Sequence, residues 1–396
     1  MLLSLFYGSF LVVFFLLYWF VVPARHRRDA LLLASLFFFL FSFPMATMIL
    51  VSMTLMVYGK GQMILQSRRK FWLVLGLLLP LGVLSAYKYS AWVLGTVNDV
   101  LLLVQQTARL PIPDLVIPLG ISFFTFKFMH YLIDLYRGDI RETNFRQFVA
   151  YMLFFPTLAS GPIERYQRFE VQTREHTVTF RWECIYEGLF RILLGLFKKV
   201  VIADSLTPFT DGLQTAGLSS VSYWIAAYAY AIKIYMDFSG YSDIAIGSAR
   251  LFGYKIMENF NYPYFKRNLS LFWRNWHMSL TSWFRDYLFI PLGGSRVNTA
   301  RMLRNIFIVW MATGIWHGAA WNFVLWGLFH AIGLIILKYY SSWVGPWVAR
   351  LVPSDRVLAG LGGVVTFHYV VVGWVFFTCD VQQSFYVISR MLGLGG

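Results

Sequence analysis

The sequence predicts an all-α, polytopic membrane protein, because its residues are mostly apolar, rarely charged, and gathered into long hydrophobic runs. Of 396 residues, 58% are hydrophobic, 19% are aromatic and 13% are charged; the mean hydropathy is +0.59. A helix of roughly 20 apolar residues crosses a hydrocarbon core of about 30 Å, and only a helix or a closed barrel satisfies its own backbone there. The runs at 2–22, 30–58, 71–97, 115–135, 148–158, 185–203, 221–249, 306–340 and 357–377 predict about nine to eleven crossings. With no internal repeat, low-complexity segment or glycine-rich phosphate loop, residues 1–396 read as one integral membrane domain.

The first run precedes the basic cluster Arg25, Arg27 and Arg28, so it reads as a retained span and not as a cleaved signal. The positive-inside rule then places the N-terminus outside and the first loop in the cytoplasm. The net charge of +15 is concentrated in a few loops, which orients the chain and offers an attractive face to an anionic donor. A nucleic-acid partner is not expected. Pro44 should break the run at 30–58 into two helices. In the run at 115–135, Lys127, His130 and Asp134 fall three and four apart on one helix face. They form either an internal polar seam, which is favoured, or a helix end at which Lys127 snorkels.

The segment at 148–158 is short and runs on to Gly161-Pro162, the pattern of a re-entrant helix covered by protein. Residues 165–182 are polar and expected in the cytoplasm. Lys233 and Asp237, one turn apart at 221–249, predict a structural ion pair. Residues 268–290 predict an amphipathic helix at the membrane boundary. One face carries Leu269, Phe272, Trp276, Leu280, Trp283 and Tyr287, and the other Ser270, Arg274, His277, Thr281 and Arg285. Arg274 and Arg285 are therefore candidates for a face that holds an anionic donor.

The run at 306–340 is too long for one crossing, so it should bend at Gly318, Ala319 and Ala320. That puts His317 at depth beside a bend. An ionisable side chain there marks either a functional site or a histidine hydrogen-bonded between helices. Cys184 and Cys379 are far apart, and no HExxH or CxxC spacing occurs. A disulfide framework, a metal site and a tightly bound cofactor are all unexpected.

Five segments together resemble the bacterial branch of the membrane-bound O-acyltransferases. They are PLGISFFTFKFMHYLIDLYRG (118–138), FFPTLASGPIERY (154–166), YMDFSGYSDIAIG (235–247) leading to ENFNYPY (258–264), FWRNWH (272–277) leading through WFRD (283–286) to PLGG (291–294), and TGIWHGAAW (313–321). That branch contains the membrane subunit of alginate O-acetylation and the protein that transfers D-alanine to teichoic acid. The motif-bearing core spans about 118–326, and Lys127 to His130 depart from the pattern. The resemblance implies a bacterial inner-membrane acyltransferase with a cytoplasmic thioester donor, either acetyl-CoA or an acyl carrier protein. It implies an extracytoplasmic acyltransferase partner and a polysaccharide acceptor, and it marks His317 and His277 as the functional histidines.

The chemistry then expected is transfer of an acyl group, most simply acetyl, to a hydroxyl. His317, neutral in apolar surroundings, would act as base or carry the acyl group itself. Asn322, the Trp316 indole or His277 would donate to the oxyanion. The alternatives are D-alanyl transfer from a carrier to teichoic acid, or a transporter or flippase of a small activated group. A transporter predicts related halves, which the sequence lacks.

Overall fold

The computed structural model describes residues 3–105, 108–158, 161–174, 179–352 and 354–394. Among them the ordered structure is helical, with no strand. The chain forms two compact units, Met1–Leu193 with Ser242–Met257, and Leu194–Tyr241 with Glu258–Gly396. Four helices are long and apolar enough to cross a membrane: Pro44–Ser67, Lys70–Lys88, Trp321–Leu351 and Asp355–Thr378. Leu5–Val21 and Ser90–Leu103 are shorter apolar helices.

The first unit opens with α1 (Leu5–Leu16), started by the Ser4 hydroxyl accepting from the Tyr7 amide. The chain continues through α2 (Arg27–Ser42) and α3 (Pro44–Ser67), which meet at Phe43 because Pro44 takes the first helical position. The run at 71–97 becomes α4 (Lys70–Lys88) and α5 (Ser90–Leu103), joined at Tyr89, whose φ of −111° and ψ of −16° depart from ideal helix values. After α6 (Ile121–Arg137) come the short α7 (Phe145–Leu153) and α8 (Phe155–Leu158), then α9 (Tyr166–Arg174) and all but the last turn of α10 (Trp182–Leu196). Residues 159–160 of the expected re-entrant stretch, and 175–178 of the polar stretch, lie outside the described residues.

The polar face of α6 is an internal seam: Lys127, His130 and Asp134 are all buried. Lys127 Nζ donates to the Tyr151 carbonyl at 2.6 Å and lies 4.2 Å from the Tyr151 ring centre. The Tyr166 amide donates to His130 Nε2 at 3.1 Å, and Gln167 Nε2 donates to Asp134 at 2.7 Å. Snorkelling of Lys127 is therefore excluded; burial of these polar groups is tolerated because each meets a partner within the protein.

The second unit contains α11 (Thr207–Thr210), the first part of α12 (Ser220–Leu251), α13 (Leu269–Asn275), α14 (Met278–Phe284) and α15 (Thr299–His317). It is completed by α16 (Trp321–Tyr339), α17 (Gly345–Leu351), α18 (Asp355–Thr378) and α19 (Val381–Met391). Its core is aromatic, built around Trp273, Trp276, Trp326 and Trp374. The expected pairing of Lys233 with Asp237 does not occur: Asp237 pairs with Lys199 at 2.7 Å, while Lys233 Nζ donates to Thr210 Oγ1 at 3.5 Å. Residues packed in space, and not the nearest turn, supply the partners.

The bend in the run at 306–340 falls where the small residues predict it, with α15 ending at His317 and α16 beginning at Trp321. The two helices then pack backbone to backbone. A Cβ on Gly314 would lie 2.4 Å from the Phe323 carbonyl oxygen, and one on Gly327 would lie 2.5 Å from that of Trp310. Only glycine permits this approach.

Candidate active site

The single amphipathic helix expected over 268–290 is two seven-residue helices, α13 and α14, broken at Trp276 and His277. His277 takes a left-handed backbone at φ 44°, ψ 53°, a conformation a non-glycine residue keeps only when its surroundings enforce it. The enforcing residue is Asn259, fully buried. Its carbonyl oxygen accepts from the Met278 amide at 2.9 Å, and its side-chain oxygen accepts from Ser279 Oγ at 2.7 Å and the Ser279 amide at 3.4 Å. The Asn261 amide donates to the Asn275 carbonyl at 3.0 Å, so both helices are tied to one preceding loop.

The kink turns His277 inward. A solvated position on a polar face is corrected: the residue is 3% exposed, and Phe238 stands edge-on at 4.6 Å. Among the described residues its Nε2 has no hydrogen-bond partner, although the ring borders a cavity. Burial pushes the imidazole pKa down to about 3, so His277 is neutral at ordinary pH. A buried ring nitrogen without a partner costs stability.

His317 is the last residue of α15 and lines the same cavity. Three rings hold it: Trp316 at 4.8 Å, Trp326 at 4.9 Å and Phe377 at 5.0 Å between centres. The following Gly318 has no room for a side chain, since a Cβ would lie 2.0 Å from the Phe323 ring. The Phe323 ring therefore packs directly on the backbone where the chain leaves α15.

The cavity has a volume of about 450 Å³. It follows α15 from Met302 to His317, fifteen residues or about 22 Å at 1.5 Å per residue. Arg274, Arg285 and Lys338 border it and are exposed, whereas Trp273, Trp276 and His277 border it and are buried. Lys338 belongs to the end away from His317. Gly327 packs against Trp310 and Gly314, and eleven further residues of antiparallel α16 carry the chain about 16 Å back towards the start of α15. Asn305 fixes the loop after Arg285 to that same end, its Nδ2 donating to the Leu292 and Gly294 carbonyls at 3.1 and 3.2 Å. The space thus has a cationic end and a histidine end. Arg285 is partly neutralised by Asp286, 2.7 Å away.

Of the six residues singled out in the sequence, four border this cavity: His317, His277, Arg274 and Arg285. Trp316 packs 6.0 Å from the His277 ring without lining the cavity. Asn322 does not line it either, because its side-chain amide donates to the Phe376 carbonyl at 3.2 Å. Lys338, Thr313 and Trp310 were missed as cavity residues. Lys338 had a signal, since it is a lone cation ending an apolar run; Thr313 and Trp310 fall at helical spacing before His317 but look like ordinary core.

Comparison with known proteins identifies the family. Residues 81–382 match the model of the membrane-bound O-acyltransferase family. The chain is 36% identical over 406 residues to a protein named probable alginate O-acetylase from Pseudomonas aeruginosa, covering 99% of this chain and 74% of that one. It is 34% identical to a peptidoglycan O-acetyltransferase from Helicobacter pylori, over 99% of this chain and 79% of that one. It is also 32% identical to a teichoic acid D-alanyltransferase from Bacillus subtilis, over 68% of this chain and 70% of that one. With two histidines brought to one cavity by separate helices and this likeness along its length, the chain belongs to the membrane-bound O-acyltransferase family and is a membrane acyltransferase.

Proposed function

We propose that the cavity bordered by His277 and His317 is where an acetyl group passes from a thioester to a hydroxyl, and that the final acceptor is a cell-envelope polysaccharide or exopolysaccharide. The observation that carries this reading is the polarity of the cavity, with cations at one end and two histidines at the other. An acyl donor on a long anionic arm, either acetyl-CoA or a carrier-protein thioester, fits in one orientation: phosphates near Lys338 and Arg285, thioester beside His317. Arg274 adds to the attraction from its exposed position on α13. The named activities of the two relatives that match 99% of this chain support O-acetylation of a polymer over D-alanyl transfer.

In this reading His317 takes the hydroxyl proton as the oxygen bonds to the thioester carbonyl carbon. His277, whose Nε2 is free to donate in one neutral tautomer, stabilises the oxyanion. Collapse of the tetrahedral intermediate breaks the C–S bond, and the proton held by His317 passes to the leaving thiolate. The chain is placed in the bacterial inner membrane with its N-terminus outside and the cationic end facing the cytoplasm, because the basic clusters at 25–28 and 296–304 then share one side. An extracytoplasmic transferase would take over the acyl group on the opposite face.

The test is acetyl transferred per folded molecule in His317→Ala. Loss of a general base lowers turnover about 10²–10⁴-fold, whereas loss of a packing contact leaves chemistry in place. Wild-type turnover in the variant removes His317 from the mechanism.

A further inference from the structure

Beyond the reaction itself, the surroundings of His317 bear on how large an acyl group the site accepts. The cavity ends at the two histidines, and none of the rings packed on the far side of His317 lines it. Trp326 and Phe377 face the imidazole nearly edge to face, at 81° and 77°. Phe377 in turn packs on Phe323 at 5.1 Å, Trp326 at 5.5 Å and Trp374 at 5.6 Å. Trp326 and Trp374 are 0% and 2% exposed, so the backing rings have no space to retreat into. Behind Trp326 lies His330, itself fully buried, 4.8 Å from the Trp326 ring. Gly373 permits His330 to sit there, since a Cβ at 373 would come within 2.8 Å of its Nε2.

Resting on the acyl-transfer reading of this cavity, we propose that Phe377, backed by Trp326 and Trp374, is the stop that restricts the transferred group to a short acyl chain. A thioester carbonyl placed for attack beside His317 directs its substituent away from the donor arm, towards these rings. The lining stops at His317, so an acetyl methyl ends against the imidazole and the rings packed directly behind it. Each further methylene would have to displace an aromatic ring from close-packed surroundings, and interiors packed to this density resist added volume. Phe377 is the movable member: it is only half-buried, whereas Trp326 is sealed in.

The experiment measures kcat/KM of the purified full chain with acetyl and butyryl thioesters, in wild type, Phe377→Ala and the milder Phe377→Val. One methylene in an apolar pocket changes kcat/KM roughly 10–200-fold, so wild type should prefer acetyl by at least about 100-fold. Phe377→Ala should narrow that ratio by at least about tenfold, and Phe377→Val by less. A wild-type ratio near unity overturns the proposal without any variant. So does an unchanged ratio in Phe377→Val or Phe377→Ala while acetyl transfer still requires His317. If His317→Ala transfers acetyl normally, the underlying assignment of the cavity fails instead, which separates the two ideas.

Discussion

Substituting Gly314 by alanine isolates the contact that sets the distance between α15 and α16. The added Cβ would lie 2.4 Å from the Phe323 carbonyl oxygen, about 1 Å short of the 3.4 Å at which ordinary van der Waals contact begins, and 3.2 Å from the Gly327 Cα. Both obstacles are backbone, so no side chain can rotate away. The helices must separate by a substantial fraction of that distance. Overpacking of this kind costs about 1–3 kcal/mol, offset by less than about 1 kcal/mol from the better helix propensity of alanine. The functional effect should exceed the loss of stability, because His317 is one turn away and is clamped between α15 and Trp326 of α16. A displacement of about 1 Å at a catalytic group lowers turnover on the order of 100-fold. The assay pairs thermal unfolding in detergent with acetyl transfer per folded molecule. Gly8→Ala and Gly59→Ala serve as controls, since among the described residues a Cβ at either meets nothing within 4 Å. If Gly314→Ala melts and turns over like these controls, close backbone packing does not position His317.

Other expectations follow from individual side chains. His277 is held to about 3 against about 6.5 when unfolded, so between those values the unfolded chain binds the extra proton. Stability should therefore rise with pH across that window and fall on acidification; unfolding followed from pH 7 to 4 should show a shallower acid-side loss in His277→Asn. Arg274→Glu places an anion on the cavity rim and should raise KM for the thioester severalfold, most strongly at low salt, with the melting temperature unchanged; a KM insensitive to both would leave Arg274 as a membrane-surface residue. Lys127→Met removes the donor to the buried Tyr151 carbonyl and should cost about 1–3 kcal/mol, read as a lower denaturation midpoint; a neutral result would remove the buried seam as a stabilising feature.

Hydrophobic run length alone determined that the chain is a helical membrane protein, because the cost of unsatisfied backbone in hydrocarbon leaves few alternatives. The breaks at Pro44 and after His317 were legible too, as was the buried seam of α6, since proline chemistry, small residues and helical spacing are local properties. The family was readable from five short motifs. The amphipathic pattern of 268–290 was misread as one helix for a physical reason. Periodicity reports which residues face the same way, but the break at His277 is imposed by Asn259, ten residues earlier than the start of α13, through hydrogen bonds no local pattern encodes. The partner of Asp237 was likewise decided by Lys199, distant in sequence. Tertiary packing also withdrew Asn322 from the site, by giving its amide the Phe376 carbonyl. It brought Lys338 to the cavity's cationic end by running α16 back along α15. Which side chains share a space depends on how closely helices approach, and the glycines that set this approach carry no side-chain signal of their own.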